Sequence, residues 1–232
     1  MAPSLFSEPG ITIRIRIPPK SLVAVPEVLM TENQIEKLKA QVQKLSADNR
    51  KWMRLAGIDR LTTLPNKLML FQVILPNELT NSSSQSFSLS CALICPDKLG
   101  DINQEHGRLI CDQLILQISQ LLKEQIQAGE RLFHCDGANF AIVMADKTEG
   151  YAKRRAVTIK DAFKEAKFKV EGTEFANITC SVGTAEVTNN EEQTKIEEVL
   201  DRLYNELCDR LYQAKASGGN HVVGSPKAKR MI

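Results

Sequence analysis

Ile11-Thr12-Ile13-Arg14-Ile15-Arg16-Ile17 alternates apolar and polar side chains with a period of two, which predicts one half-buried strand near the start of the chain. Pro18-Pro19 ends it, and Pro26 discourages a helix before Met30. A lone strand has no partner in its own segment. It must join another sheet, pair across a dimer or bind another protein, and the sequence does not choose among these. From Thr31 the period changes to that of a helix, with Thr31 as its cap and Gln34 in capping-box position. Ile35, Leu38, Val42, Leu45, Asn49, Trp52 and Ala56 fall at alternating three- and four-residue steps, the seam spacing of a coiled coil. Glu36, Lys37, Lys39, Gln43, Lys44, Asp48 and Arg50 lie off that seam. Asn49 on it suits a two-stranded state of fixed register. The other reading is one amphipathic helix packed on its own domain. A parallel dimer is favoured, because helices this short are marginal alone.

Downstream, the pattern predicts a helix from about Lys67 to Leu79, a polar loop at Asn81-Ser82-Ser83-Ser84-Gln85-Ser86, and a central strand over Phe87 to Cys95. A helix from about Asp101 to Gln127 carries Ile110, Leu114, Ile118, Leu121 and Leu122 at core spacing. Two β-prone runs, Leu132 to Cys135 and Phe140 to Met144, flank Asp136-Gly137, a dipeptide suited to a tight turn. A helix near Tyr151 to Ala166, a small hairpin turning near Gly172, a strand from Ile178 to Ala185 and a last helix from about Lys195 to Ser217 complete the pattern.

The length of 232 residues accommodates one well-buried domain plus an extension. No apolar run approaches the ~20 residues of a membrane span, and the first residues lack the layout of a signal peptide. A formal net charge of +2 argues neither for nucleic acid nor for an anionic membrane surface. The basic cluster Lys227-Ala228-Lys229-Arg230 reads as a solvated tail. Six cysteines (Cys91, Cys95, Cys111, Cys135, Cys180 and Cys208) include no Cys-x-x-Cys, and most sit in apolar runs. That is the usage of reduced, buried thiols, and it places the chain in the cytoplasm. Cys91, Cys95 and a distant His do not make a zinc-ligand spacing.

The hairpin Asp136-Gly137-Ala138-Asn139-Phe140 resembles the signature of the GGDEF domain of diguanylate cyclases. Asp59-Arg60-Leu61-Thr62-Thr63-Leu64-Pro65-Asn66-Lys67 resembles the motif that opens that domain after a signalling coiled coil. Ile178-Thr179-Cys180-Ser181-Val182-Gly183-Thr184-Ala185 and Leu211-Tyr212-Gln213-Ala214-Lys215, with Gly218-Gly219-Asn220, resemble its later motifs in the right order. The resemblance runs from about residue 56 to 223. It implies an α+β fold, the ferredoxin-like palm β-α-β-β-α-β core of nucleotidyl cyclases, preceded by a coiled-coil helix and an N-terminal strand. The implied organisation is an extension over 1–30, a signalling helix over 31–56, a degenerate GGDEF domain over 57–224 and a basic tail over 225–232.

The same resemblance implies where the chemistry would lie. Asn103 and Asp112 match positions that contact the guanine base, and Lys215 is also kept. Cys95 and Ala138 stand where the family has metal-binding carboxylates, and Asn139 at the next acidic position. Gly100 and Gly219 stand where it has phosphate-facing Lys and Arg. Gln127 and Glu130 occupy the Arg-x-x-Asp of its product-inhibition site, with Arg131 out of register, and His134 reads as an ordinary strand histidine. Mg²⁺ wants oxygen ligands; a thiol is a poor one and Ala is none. The expectation is therefore a signalling or scaffold protein that is not an enzyme. It has no catalytic residues, metal or cofactor, and it acts through a homodimer and an unidentified protein partner. No nucleic acid and no membrane insertion are expected. The alternatives are a GTP sensor without turnover, or an active cyclase making cyclic di-GMP, in which case Mg²⁺ and GTP enter.

Overall fold

The computed structural model describes residues 32–81, 87–188 and 195–225, which divide into two compact units after Leu55. The strand expected at 11–17, the Thr31 cap and the basic tail lie outside the described residues. The first unit contains helix α1 (Glu32–Ala56). Leu38, Val42, Leu45, Asn49 and Trp52 are exposed along it, and Ile35 is half-buried.

The second unit is built on a sheet whose centre is β1 (Ser88–Pro96), buried on nearly its whole length. Such a strand reads as a continuous apolar run because both of its faces are covered. β2 (Glu130–His134) and β3 (Phe140–Ala145) follow two helices, and β6 (Cys180–Thr188) and β7 (Val222–Val223) complete the order β2-β3-β1-β6-β7. β1 pairs antiparallel with β3, from Leu89↔Ala145 to Ile94↔Phe140, and with β6 on its other side. The separate small hairpin of β4 (Phe168–Val170) and β5 (Thr173–Phe175) forms as the Gly172 signal predicts. This is the expected β-α-β-β-α-β core.

Alternate side chains of the sheet feed two cores. Ala92, Ile94, Ile142 and Met144 pack with α5 (Arg108–Gln125) and α6 (Glu149–Glu165) through Leu114, Ile118, Ala156 and Ile159. Leu89, Cys91, Leu93 and Val143 pack instead with α7 (Ile196–Ala216) through Leu203, Leu207 and Leu211. Burying side chains of this size contributes roughly 1.5–3 kcal/mol each.

Two expectations are corrected. The helix from Lys67 is three successive pieces, α2 (Lys67–Met69), a π-helical turn (Leu70–Ile74) and α3 (Leu75–Asn81), with Asn66 capping its start through the Met69 amide. The helix expected from Asp101 to Gln127 is broken into α4 (Leu99–His106) and α5 at Gly107. Gly107 has φ +81°, a left-handed conformation that a side chain disfavours, and its amide closes α4 on the Asn103 carbonyl at 3.0 Å. Among the described residues, no helix is long and apolar enough to cross a membrane.

Candidate functional site: a cavity between α4, α5 and the β2–β3 turn

The break at Gly107 creates the site. In an uninterrupted helix Asn103 and Asp112 would be about two and a half turns apart, on opposite faces. With the chain redirected at Gly107, both line one cavity of about 620 Å³. Leu99 and Gly100 from the start of α4 line it too, as do His134, Cys135, Gly137 and Ala138 from the strand end and turn opposite. Asp112 is partly exposed, with the Arg108 guanidinium 3.9 Å away one helical turn earlier. The wall thus offers a carboxylate, an amide and a guanidinium side by side. Of the three nucleotide-contacting residues implied by resemblance, Asn103 and Asp112 are brought together here. Lys215 is not among the lining residues.

The turn facing them is longer than a two-residue hairpin. Cys135 donates its amide to the Asn139 carbonyl at 2.7 Å, and Asn139 donates to the Asp136 carbonyl at 3.0 Å, with Gly137 at φ +63° between them. Asp136 points away to α2, where Lys67 Nζ meets its carboxylate at 2.7 Å and donates to the Tyr204 hydroxyl at 2.9 Å. Burial works against the Lys67 ammonium, and Asp136 and Tyr204 outweigh it, holding it above the ordinary lysine range. Burial pushes the Cys135 thiol up to about 12, so this cavity residue is a neutral thiol.

Two cavity residues were not foreseen as functional. Asp59 forms a tight turn, its Oδ1 accepting from the Thr62 amide and the Thr62 hydroxyl, each at 2.8 Å. Burial raises its carboxyl, but the Thr62 bonds and His134 outweigh burial and leave it below the usual carboxylate range. His134 is buried at the end of β2 with its ring stacked on Phe140, 4.7 Å between centroids. The Asp-x-x-Thr spacing of residues 59 to 62 is the one local signal of that turn. Its pairing with His134 across the domain has no local signal at all.

The divalent cations that the family resemblance implies can be tested against the donors present. Cys95 Sγ accepts a hydrogen bond from Lys215 Nζ at 2.8 Å, and burial pushes its thiol up against the pull of that ammonium. The Asp97 carboxylate accepts from the Thr179 hydroxyl at 2.7 Å, the Ser181 hydroxyl at 2.8 Å and the Asn220 amide at 2.8 Å. A Cβ on Gly219 would stand 3.0 Å from that same carboxylate. Ala138 offers no donor. Among the described residues, no cluster of three or more His, Cys, Asp or Glu side chains could hold a metal ion. This donor set does not fit a hard divalent cation.

At the implied product-inhibition positions, Glu130 is buried and paired with Arg155, and Arg131 pairs with Glu78. Gln127 donates its amide to Glu130 Oε2 at 2.9 Å.

This chain belongs to the family described as diguanylate cyclase, GGDEF domain, whose profile matches residues 56–221. It is 26% identical over 166 residues to the diguanylate cyclase DosC of Escherichia coli K12, covering 72% of this chain and 34% of that protein. It is 24% identical over 154 residues to a protein of Staphylococcus epidermidis described as an uncharacterized membrane protein, 66% of this chain and 42% of the other. The chain therefore spans between a third and a half of these relatives. In fold it is similar to the coiled coil and GGDEF domain of DgcB from Caulobacter crescentus, solved with c-di-GMP, at TM-score 0.64 and 21% identity, covering 84% of this chain and 98% of that one. It is also similar to the cyclase SiaD of Pseudomonas aeruginosa, solved with its activator SiaC, at TM-score 0.61 and 22% identity, covering 83% and 74%.

The family match corrects one expectation. A chain with Cys95 and Ala138 at two carboxylate positions was expected not to be an enzyme, yet it belongs to a family of cyclases.

Proposed function

We propose that this chain is a signalling module of the diguanylate cyclase family that takes up a guanine nucleotide in the cavity between α4, α5 and the β2–β3 turn. The observation that carries this reading is the convergence of Asn103 and Asp112 on one wall of a cavity of about 620 Å³. A guanine base presents N–H donors on one edge and carbonyl and ring-nitrogen acceptors on the others. An ionised carboxylate only accepts, while a primary amide both donates and accepts. Asp112 therefore suits the N–H edge and Asn103 the carbonyl. Arg108 is a cation at the rim for the phosphates.

The second part of the reading is dimerisation through α1, whose apolar seam is exposed and would be covered by a second copy of the helix. The DgcB structure includes a coiled coil beside its GGDEF domain, and SiaD was solved in complex with its activator SiaC. By analogy, α1 of this chain would pass a partner's signal to the nucleotide site.

Calorimetry with GTP, with and without Mg²⁺, tests the nucleotide reading. Binding that Asp112→Ala weakens at least tenfold is expected, the scale of one charge-assisted hydrogen bond. No heat with GTP or GDP under either condition would overturn it. Analysis of the same samples for cyclic di-GMP reads whether bound nucleotide is turned over.

A further inference from the structure

We propose that His134 is a positioning residue of the nucleotide cavity, bridging Asp59 to the Gly137 carbonyl of the β2–β3 turn only as its imidazolium and so coupling nucleotide uptake to one proton. This rests on the guanine-nucleotide reading above.

The geometry is specific. His134 Nε2 lies 2.9 Å from the Gly137 carbonyl oxygen, across the turn that walls the cavity. Nδ1 lies 2.8 Å from Asp59 Oδ1, close but poorly aligned for a hydrogen bond, so that contact is one of charge. A neutral imidazole carries one N–H and one lone pair. Both neighbours here are acceptors. Either neutral tautomer therefore sets a lone pair against an oxygen, and only the doubly protonated ring attracts both. The ring is held in place for this task by stacking on Phe140 and by its own backbone, whose amide donates to the Pro65 carbonyl at 2.9 Å.

The charged groups around the ring fit the imidazolium. Asp59 faces it from the turn before α2. From α5, Lys123 donates to the Thr62 carbonyl at 3.3 Å on the far side of that turn, and Arg108 and Asp112 stand side by side, 3.9 Å apart, on the α5 wall of the cavity. Cys135 beside it is a neutral thiol, and Cys111 on α5 is likewise pushed up by burial. Lys67 is spent on Asp136. The nearest fixed charge to the ring is therefore the Asp59 carboxylate. Imidazole is the side chain that changes charge within the physiological range. When the ring loses its proton, Asp59 loses its counter-charge and one ring nitrogen is left with its lone pair against an oxygen, Gly137 O or Asp59 Oδ1, so the bridge that holds the Gly137-Ala138 wall to Asp59 is broken at one end.

Titrate the full chain with GDP by calorimetry between pH 5.5 and 8.5, alongside His134→Arg, which keeps a cation and N–H donors at every pH. Ionisation of the phosphates affects both proteins alike, so the ratio of their affinities isolates the histidine. That ratio is expected to change about tenfold across the range, with the native chain weakening as pH rises. A constant ratio would overturn the proposal. Because His134→Arg could fail to fold, the native chain is also followed by ¹⁵N NMR of its histidine rings without nucleotide. Protection of the Cys135 and Asn139 amides from exchange is expected to fall as the His134 ring loses its proton. A neutral ring with both amides still protected would overturn the bridge. Absence of GDP binding at all pH values would sink the nucleotide reading, and with it the coupling, while the NMR result would still decide the bridge.

Discussion

Arg155 on α6 and Glu130 at the first residue of β2 form a buried ion pair, Nε to Oε1 at 2.6 Å and Nη2 to Oε2 at 3.0 Å, with side chains only 7% and 2% exposed. Tyr151 donates to the same carboxylate at 3.1 Å, and the Arg155 fork also donates to the Gln125 carbonyl at the end of α5. One guanidinium thus joins α5, α6 and β2. Removing one partner leaves a charge without its mate in a dry site, which costs about 3–5 kcal/mol. Arg155→Leu is expected to lose that much in urea unfolding, and the double change Arg155→Leu with Glu130→Leu is expected to recover a large part of it. Equal losses in the single and double variants would show that the pair is not what α6 depends on.

Acid should find the same carboxylates. Burial raises Glu130, Glu149 and Asp59, but in each case neighbouring groups outweigh it: Arg155 and Gln127 for Glu130, Ser225 and Arg210 for Glu149, Thr62 and His134 for Asp59. Their folded values lie below the unfolded values of about 4. A depressed carboxyl contributes stability that is fully present above its unfolded pKa and is lost as pH falls through its folded pKa. Thermal midpoints are therefore expected to drop steeply below about pH 4. In Glu130→Gln the acid drop should be shallower. An acid limb as steep as in the native chain would exclude Glu130 from it.

Much of this was legible from pattern. The apolar run of β1, the Asp136-Gly137 turn and the Gly172 hairpin are local signals, and local signals survive folding. What escaped the sequence were breaks and long-range partners. Ile110, Leu114 and Ile118 keep helical spacing on past Gly107, so the period alone does not show that α4 and α5 are separate. Yet that break is what puts Asn103 and Asp112 on one wall. His134 read as an ordinary strand histidine because Asp59, its neighbour in space, lies far off in sequence. Lys215 and Cys95 meet for the same reason, through the packing of α7 on the sheet.

Gly183 shows how tightly α7 sits on that sheet. A Cβ there would stand 2.6 Å from the Leu211 nitrogen and closer still to the Leu207 carbonyl, both backbone atoms of α7. Neither can rotate away, so the helix itself would have to lift from β6. Gly183→Ala is expected to cost about 3 kcal/mol, the upper end for overpacking. Because Lys215 lies on the same helix, the change should also raise the accessibility of Cys95 to a thiol reagent. A loss of under about 1 kcal/mol, or no change in Cys95 labelling, would show that α7 yields more easily than its contacts imply.

The seam of α1 makes the last prediction. Val42 and Leu45 are 60% and 68% exposed, and Asn49 follows them at a seam position where Asn favours a pair of strands over higher orders. A 25-residue helix with its apolar stripe in water has little reason to persist alone, and pairing covers the stripe. Each buried Val or Leu contributes roughly 1.5–3 kcal/mol, and a dimer buries two copies of each. Val42→Glu with Leu45→Glu is therefore expected to raise the dimer dissociation constant at least about a hundredfold, read by sedimentation velocity across a concentration series. Asn49→Leu is expected to act the other way, tightening association while admitting trimers or larger species. If the native chain sediments as a monomer at every concentration, or the double change leaves its sedimentation untouched, the exposed stripe on α1 serves something other than self-pairing.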